Sequence, residues 1–192
     1  MRIHQILPLS WVNGPGARFT VWVQGCSRRC KGCFNPLTHD AMGGFEMSVS
    51  EIVKIIPSEA TGITLSGGEP FEQPEEIVLL LDEVRKIKLH TLVYTGFQYE
   101  DLKASQDMSV QHCLSLIDML IDGEFREGVQ SFIAWAGSGN QRLIELNNGE
   151  VSCICDGFLK GNPVNEGEII IDKTGVIVET GFFCSSHLQQ EG

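Results

Sequence analysis

Phe19-Thr20-Val21-Trp22-Val23-Gln24-Gly25-Cys26-Ser27-Arg28-Arg29-Cys30-Lys31-Gly32-Cys33 runs an apolar, β-branched segment straight into three closely spaced cysteines. The first six residues have the composition of a buried strand. Gly25 ends it, and a loop carries the thiols. The same grammar repeats downstream. Ser48 to Ile56 reads as a helix with Ser48 or Ser50 as its N-cap, stopped by Pro57. Gly62 to Ser66 is a short buried strand broken by Gly67-Gly68. Pro74 to Leu89 is the strongest helix: Pro74 suits the first helical position, Glu75 and Glu76 the first turn, and Arg85, Lys86 and Lys88 the last. Strands follow at Thr91–Tyr94, closed by Thr95-Gly96, and at Met119–Ile121, closed by Asp122-Gly123. A helix is expected between Tyr99 and Leu116. Arg142–Leu146 is a further strand, and residues 168–180 have the pattern of a hairpin turning at Lys173-Thr174-Gly175. Residues 147–168, rich in Gly and Asn, are expected to be irregular.

Strand–helix alternation predicts an α/β fold with a mostly parallel sheet and helices outside it. Ligands bind at the C-terminal edge of such sheets. Gln24-Gly25-Cys26, Ser66-Gly67-Gly68, Thr95-Gly96 and Asp122-Gly123 would then share one rim. A chain of 192 residues is too short for eight full βα units, so the expectation is a partial, open (βα) barrel with a C-terminal β-hairpin extension. Residues 1–146 form the expected core. Residues 147–192 form an extension packed on that core rather than an independent domain.

Fourteen basic against 25 acidic residues give a net charge of −11. Nucleic-acid binding depends on Lys and Arg neutralising phosphates, and Arg85-Lys86-Ile87-Lys88 is too short a basic run to make a groove, so no nucleic-acid partner is expected. The longest apolar run, Ile77–Leu81, falls far below the roughly 20 residues of a membrane span, and no membrane partner is expected. The first residues lack the apolar stretch of a signal peptide. A cytoplasmic protein is the expectation, with its seven cysteines kept as thiols or bound to metal.

Cys26, Cys30 and Cys33 form C-x3-C-x2-C. Thiolates are the standard ligands of iron–sulfur clusters. Three of them on a [4Fe–4S] cube leave one iron open, which the methionine end of S-adenosylmethionine could chelate. The competing reading is a structural zinc site with His39 as fourth ligand. After one strand–helix–strand interval comes Ser66-Gly67-Gly68-Glu69-Pro70. Its glycines permit close approach of the backbone to a ligand, and Glu69 could accept a hydrogen bond or brace the loop.

The pair of motifs resembles the radical S-adenosylmethionine superfamily. Gly14-Pro15-Gly16-Ala17-Arg18, the run Val21–Cys26 and Cys30-Lys31-Gly32-Cys33-Phe34-Asn35-Pro36 narrow the resemblance to the activating proteins of anaerobic (class III) ribonucleotide reductases. So do Tyr94-Thr95-Gly96, Leu120-Ile121-Asp122-Gly123 and Gly139-Asn140-Gln141-Arg142. The likeness covers about residues 1–146. It implies a partial barrel of the radical S-adenosylmethionine type, in which a 5′-deoxyadenosyl radical abstracts hydrogen from a glycine of a large glycyl radical enzyme, and an external reductant such as flavodoxin. Under it, Cys26, Cys30 and Cys33 hold the cluster and serve catalysis. Gly67, Gly68 and Glu69 meet S-adenosylmethionine, and Asn35, Thr95 and Asp122 belong to the cofactor or glycine-loop pocket. Residues 34–65 contain no cysteine, so the inserted cluster domain of many other activases is absent. Ala136-Gly137-Ser138 stands where the reductase-activating type more often has Arg-Gly-Ser.

Cys153-Ile154-Cys155 with Cys184, and with Cys113 or His187, is a weaker metal pattern whose ordinary reading is core thiols. His4, His39, His90 and His112 are scattered singly, and Trp11, Trp22 and Trp135 read as packing residues, while Trp22, alternating with Val21 and Val23, is either buried on its face of the strand or offered to a partner. Glu124-Phe125-Arg126-Glu127 is a charged rim loop. Arg28, Arg29 and Lys31 flank the cysteines, where they would be plain surface charges, tune the cluster or attract an acidic reductant. Three other functions fit less of the pattern: an activase of another glycyl radical enzyme, an enzyme of the deazaguanine-synthase type acting on a small molecule, and an electron carrier or metal-bound scaffold with a fully ligated cluster.

Overall fold

The computed structural model describes residues 1–155, 167–171, 175 and 177–181. Cys184, His187 and the turn residues Lys173 and Thr174 lie outside them. Four strands make a parallel centre: β2 (Arg18–Val23), β4 (Gly62–Gly67), β5 (His90–Tyr94) and β6 (Met119–Asp122). They stand side by side in chain order. Each connection crosses the same way, which puts the intervening helices on one face. These are α1 (Val49–Lys54), α2 (Pro74–Lys86), α3 (Tyr99–Lys103) and α4 (Met108–Leu116).

The flanks are antiparallel. β1 (Arg2–Ser10), unanticipated from the sequence, pairs with β2 on one side and with the two-residue β3 (Phe45–Glu46) on the other. Pro8 hid it, since proline lacks a ladder donor. The register between β1 and β2 slips between Leu7 and Ser10, so that donor is not needed there. At the far flank β7 (Arg142–Asn147) pairs with β6 and with β8 (Glu150–Cys155). The expected irregular stretch therefore begins with a strand. Asn148 and Gly149 both take positive φ, 51° and 76°, the two-residue turn that matches strand twist. The sheet is open, in the order β3-β1-β2-β4-β5-β6-β7-β8, and the predicted hairpin is present as β9 (Gly167–Ile171) and β10 (Ile177–Gly181).

Two helices depart from expectation. The one expected over residues 99–116 is α3 and α4, parted at Ser105-Gln106-Asp107. The Asp107 carboxylate there accepts the Ser109 N–H at 2.8 Å and starts α4. Helix α2 ends at Lys86, not Leu89. Lys88 takes φ 60°, and Lys88 and Leu89 donate back to Arg85 and Val84, a C-terminal wrap that satisfies the last carbonyls.

Alternation along the strands sorts the two faces. Phe19, Val21, Val23, Ile63, Leu65, Val93 and Leu120 pack under the helices, where Ile77, Leu80, Leu81 and Val84 give α2 its buried stripe. The opposite face carries Thr20, Trp22, Thr64 and Ser66 at the β1 side. A small apolar cluster of Leu92, Met119, Ile121 and Leu143 lies toward β7. Polar residues at the centre of a sheet need partners. Arg18 is fully buried there. It donates to Thr64 Oγ1 at 3.0 Å, to His90 O at 3.2 Å and to Ile63 O, and burial lowers its pKa to about 10. Its Nη1 lies 3.2 Å from His90 Nδ1.

His90 is held neutral: burial first, and then the Arg18 charge, depress its pKa below the ordinary 6.5. A depressed folded-state pKa means that the associated stability is present above 6.5 and lost as the pH falls through the folded value. Thermal melts should therefore show the wild type losing more stability between about pH 7 and pH 5 than His90→Gln does. Equal losses would show that His90 carries no such linkage.

Candidate functional site

The cysteine loop is folded back onto the end of β2. Gln24 Nε2 donates to Leu37 O and Asp40 O at 2.9 and 2.6 Å, and Gly25 N–H donates to Thr38 O at 2.8 Å. Thr38 in turn closes on Asn35 O. Ser27 donates through both its N–H and its hydroxyl to Glu72 Oε1, at 2.9 and 2.6 Å. Arg29 and Gly32 take φ 47° and 71°, bending the segment between the thiols. Burial pushes the Cys26 thiol up. The amides of Arg28 and Arg29 point at its sulfur and pull the other way. Cys33 is raised for the same reason and opposed by the amide of Asn35.

The glycine loop meets this one through main chain. Gly68 N–H donates to Val23 O and Glu69 N–H to Gly25 O, both at 2.8 Å. The contact admits no side chain: a Cβ on Gly68 would stand 2.1 Å from Gly25 O. Gly67 itself takes φ 100°. Glu69 is almost wholly buried. Its carboxylate accepts from Phe71 N–H (3.1 Å), Thr95 Oγ1 (2.9 Å) and Gly96 N–H (2.7 Å). It thus ties the end of β4 to the end of β5. Burial pushes its pKa up to about 7 against those three bonds and the Arg28 charge.

These loops line a cavity of about 340 Å³, within the usual range for small-molecule sites. Cys26, Cys30, Cys33, Asn35, Gly67, Gly68, Glu69 and Thr95 all reach it. Asp122 does not. Its carboxylate faces the other way, accepting the Tyr99 N–H at 2.8 Å and binding Arg142 through both oxygens. Arg142 also pairs with Glu100 at 2.7 Å. A charged pair at a rim strand reads the same in sequence whether it faces the ligand or braces the rim. Gln141, from the motif Gly139–Arg142, does line the cavity and pins its loop, donating to Gly123 O and accepting from the Gly137 and Ser138 amides.

Sequence reasoning missed several walls. Trp22, taken for packing, lines the cavity, as do Gln5, Asn13 and the hairpin residues Glu179, Thr180 and Gly181. Period-two alternation from Phe19, Val21 and Val23 was the available signal for Trp22. The Phe34 ring on the cysteine loop packs at a tilt against Phe125 of the charged rim loop, with ring centroids 4.4 Å apart. Arg28 lies 4.8 Å over the Phe97 ring and 3.9 Å from Glu124. Its buried Nε, and His39 Nε2, have no hydrogen-bond partner among the described residues.

The donor set suits an iron–sulfur cluster: three thiols in one loop, with amides aimed at two of the sulfurs and orphaned polar atoms beside them. Among the described residues no three His, Cys, Asp or Glu side chains converge on one metal ion. Residues 12–144 match the family model described as a 4Fe-4S single cluster domain. The chain belongs to this single-cluster 4Fe-4S family. Its relatives include the anaerobic ribonucleoside-triphosphate reductase-activating protein of Enterobacteria phage T4, 34% identical over 157 residues, which are 78% of this chain and 97% of the relative. The protein of the same name from Vibrio cholerae is 35% identical over 73% of this chain and 96% of its own length. The one from Escherichia coli is 33% identical over 76% and 99%. These relatives are thus matched nearly end to end, and this chain is longer than they are. Cys153 and Cys155 lie on β8, away from the cavity. No helix among the described residues is long and apolar enough to cross a membrane.

Proposed function

We propose that this chain is a radical S-adenosylmethionine activase of an anaerobic ribonucleotide reductase, acting in the cytoplasm, and that its open sheet is a partial barrel of that superfamily. The observation that carries the reading is the meeting of the cysteine loop and the Gly67-Gly68-Glu69 loop at one cavity. The relatives' shared name supports it. Cys26, Cys30 and Cys33 would hold a [4Fe–4S] cluster, leaving one iron for the methionine end of S-adenosylmethionine. What such a cluster supplies, when bound, is the electron that splits the sulfonium and yields a 5′-deoxyadenosyl radical, which takes hydrogen from a glycine of the reductase.

The protein's own residues bind, orient and exclude water. Gly67 and Gly68, bare of side chains, let main chain approach the amino end of S-adenosylmethionine. Glu69 holds the β4 and β5 loops together through Thr95 and Gly96. Asn35 and Thr95 line the pocket wall. Asp122 acts from behind the rim by fixing Arg142. Arg29 and Lys31, exposed beside the thiols, would meet a flavodoxin-like reductant, whereas Arg28 turns toward Phe97 and Glu124 in the cavity wall.

The test is anaerobic reconstitution followed by incubation with S-adenosylmethionine, reductant and an anaerobic ribonucleotide reductase. The expected products are 5′-deoxyadenosine and a glycyl-radical EPR signal on the reductase, both dependent on this chain. Robust 5′-deoxyadenosine formation with a small molecule alone, or a colourless zinc protein indifferent to S-adenosylmethionine, would overturn the reading.

A further inference from the structure

The hairpin β9–β10 stands beyond residue 144, where the match to the single-cluster domain ends. An isolated two-stranded hairpin is marginal in water, and this one is anchored. Thr180 Oγ1 donates to Asn13 Oδ1 at 3.0 Å, and Ser10 Oγ donates to Glu168 Oε2 at 2.7 Å. Both anchors lie at the end of β1 and in the loop after it, and they set β10 against the cavity.

Glu179, Thr180 and Gly181 line that cavity in succession. Side chains of successive strand residues point to opposite faces. Exposure follows that alternation here: Ile177 and Glu179 are exposed, Val178 half-buried, Thr180 buried. Three neighbours in a row thus line the cavity although their side chains alternate, and Gly181 has only main chain to offer. One edge of β10 pairs with β9. The other pairs with no strand among the described residues. Its amide and carbonyl groups want partners. Gln5 lines the same cavity, paired in register with Trp22, and none of its side-chain hydrogen bonds is made within the described residues.

We propose that the edge of β10 away from β9 is a rail for the substrate polypeptide: an extended segment carrying the target glycine adds to it as a strand, with the Gln5 carboxamide closing on its backbone. Strand addition reads main chain for affinity and alternate side chains for register, so it presents a side-chain-poor glycine segment to the cavity in one orientation. The inference deepens the activase reading, on which the polypeptide nature of the substrate rests.

The experiment uses the full-length, cluster-loaded chain and a synthetic peptide spanning the radical-glycine region of an anaerobic ribonucleotide reductase. Two further peptides are N-methylated at alternate amides, one set for each parity. Affinity is read by fluorescence anisotropy. In a paired strand only every second N–H faces the neighbour, so one methylated set should bind at least about tenfold more weakly and the other within about threefold. Thr180→Val, which loosens the anchor, should weaken the unmodified peptide several-fold with iron content unchanged. Failure of the unmodified peptide to bind, equal behaviour of the two methylated sets, or a Thr180→Val protein that binds as wild type would overturn the rail. The change in the cluster's EPR signal on adding S-adenosylmethionine, measured on the same samples, tests the activase reading separately. Its absence sinks that reading, whereas its presence with parity-blind binding sinks only the rail.

Discussion

Cys30→Ala, prepared and reconstituted anaerobically, should lose most of its iron and its brown colour, and S-adenosylmethionine cleavage should fall by at least about a thousandfold. In the proposed cluster the three thiols of the loop are not redundant: each would cap a different iron, and water is a poor substitute at that position. Cys26→Ala and Cys33→Ala should behave alike. Cys153→Ala is the internal control, because that thiol is exposed on the edge strand β8. Iron analysis and EPR decide the matter before any activity is measured. Iron retained in Cys30→Ala, or lost equally in Cys153→Ala, would move the cluster elsewhere. Loading should also release protons, since burial holds Cys26 and Cys33 as neutral thiols in the metal-free chain.

Gly68→Ala should be nearly as damaging, for a steric reason. The added Cβ would sit 2.1 Å from Gly25 O and 2.8 Å from Gly25 C. Those atoms are backbone and cannot swing aside. The two loops must part, breaking the Glu69 N–H bond to Gly25 O, with a stability loss of about 2–4 kcal/mol. Binding of S-adenosylmethionine should fail with it, because the cavity is the space between these loops. Gly128→Ala separates sterics from backbone conformation. Gly128 takes φ 77°, but a Cβ there meets nothing within 4 Å. That variant should lose about 1 kcal/mol and keep cofactor binding. Chemical denaturation of both proteins measures the difference, and equal losses would show that the Gly68–Gly25 approach is not what holds the site together.

Much of this was legible before any tertiary structure. The parallel centre follows from apolar runs alternating with amphipathic ones, and Phe19, Val21 and Val23 fall on the helix-covered face as period two requires. The Ser48 cap and the Pro74 start are local chemistry, and both are found in place. β1 escaped because Pro8 interrupts its pattern, and a bulge forgives the proline. β8 escaped although Asn148-Gly149 is a strong hairpin signal, masked by the Gly- and Asn-rich composition after it. Asp122 misled because an acid at a rim strand looks the same facing in or out. Arg142, twenty residues on, settles its direction.

By itself the sequence determined what depends on spacing along the chain: the three thiols in one loop, the glycine pair where a strand stops, the order of strands and helices, and the acidic balance. Packing alone decided which distant residues became neighbours. Glu69 faces Thr95 and Gly96 because parallel strands end at one rim. Gly68 lies on Gly25 because β2 and β4 run side by side in register. β10 borders the cavity because Asn13, 167 residues before Thr180, offers it an acceptor. Local propensity acts over a few residues, whereas such contacts exist only once loops are closed and a core excludes water.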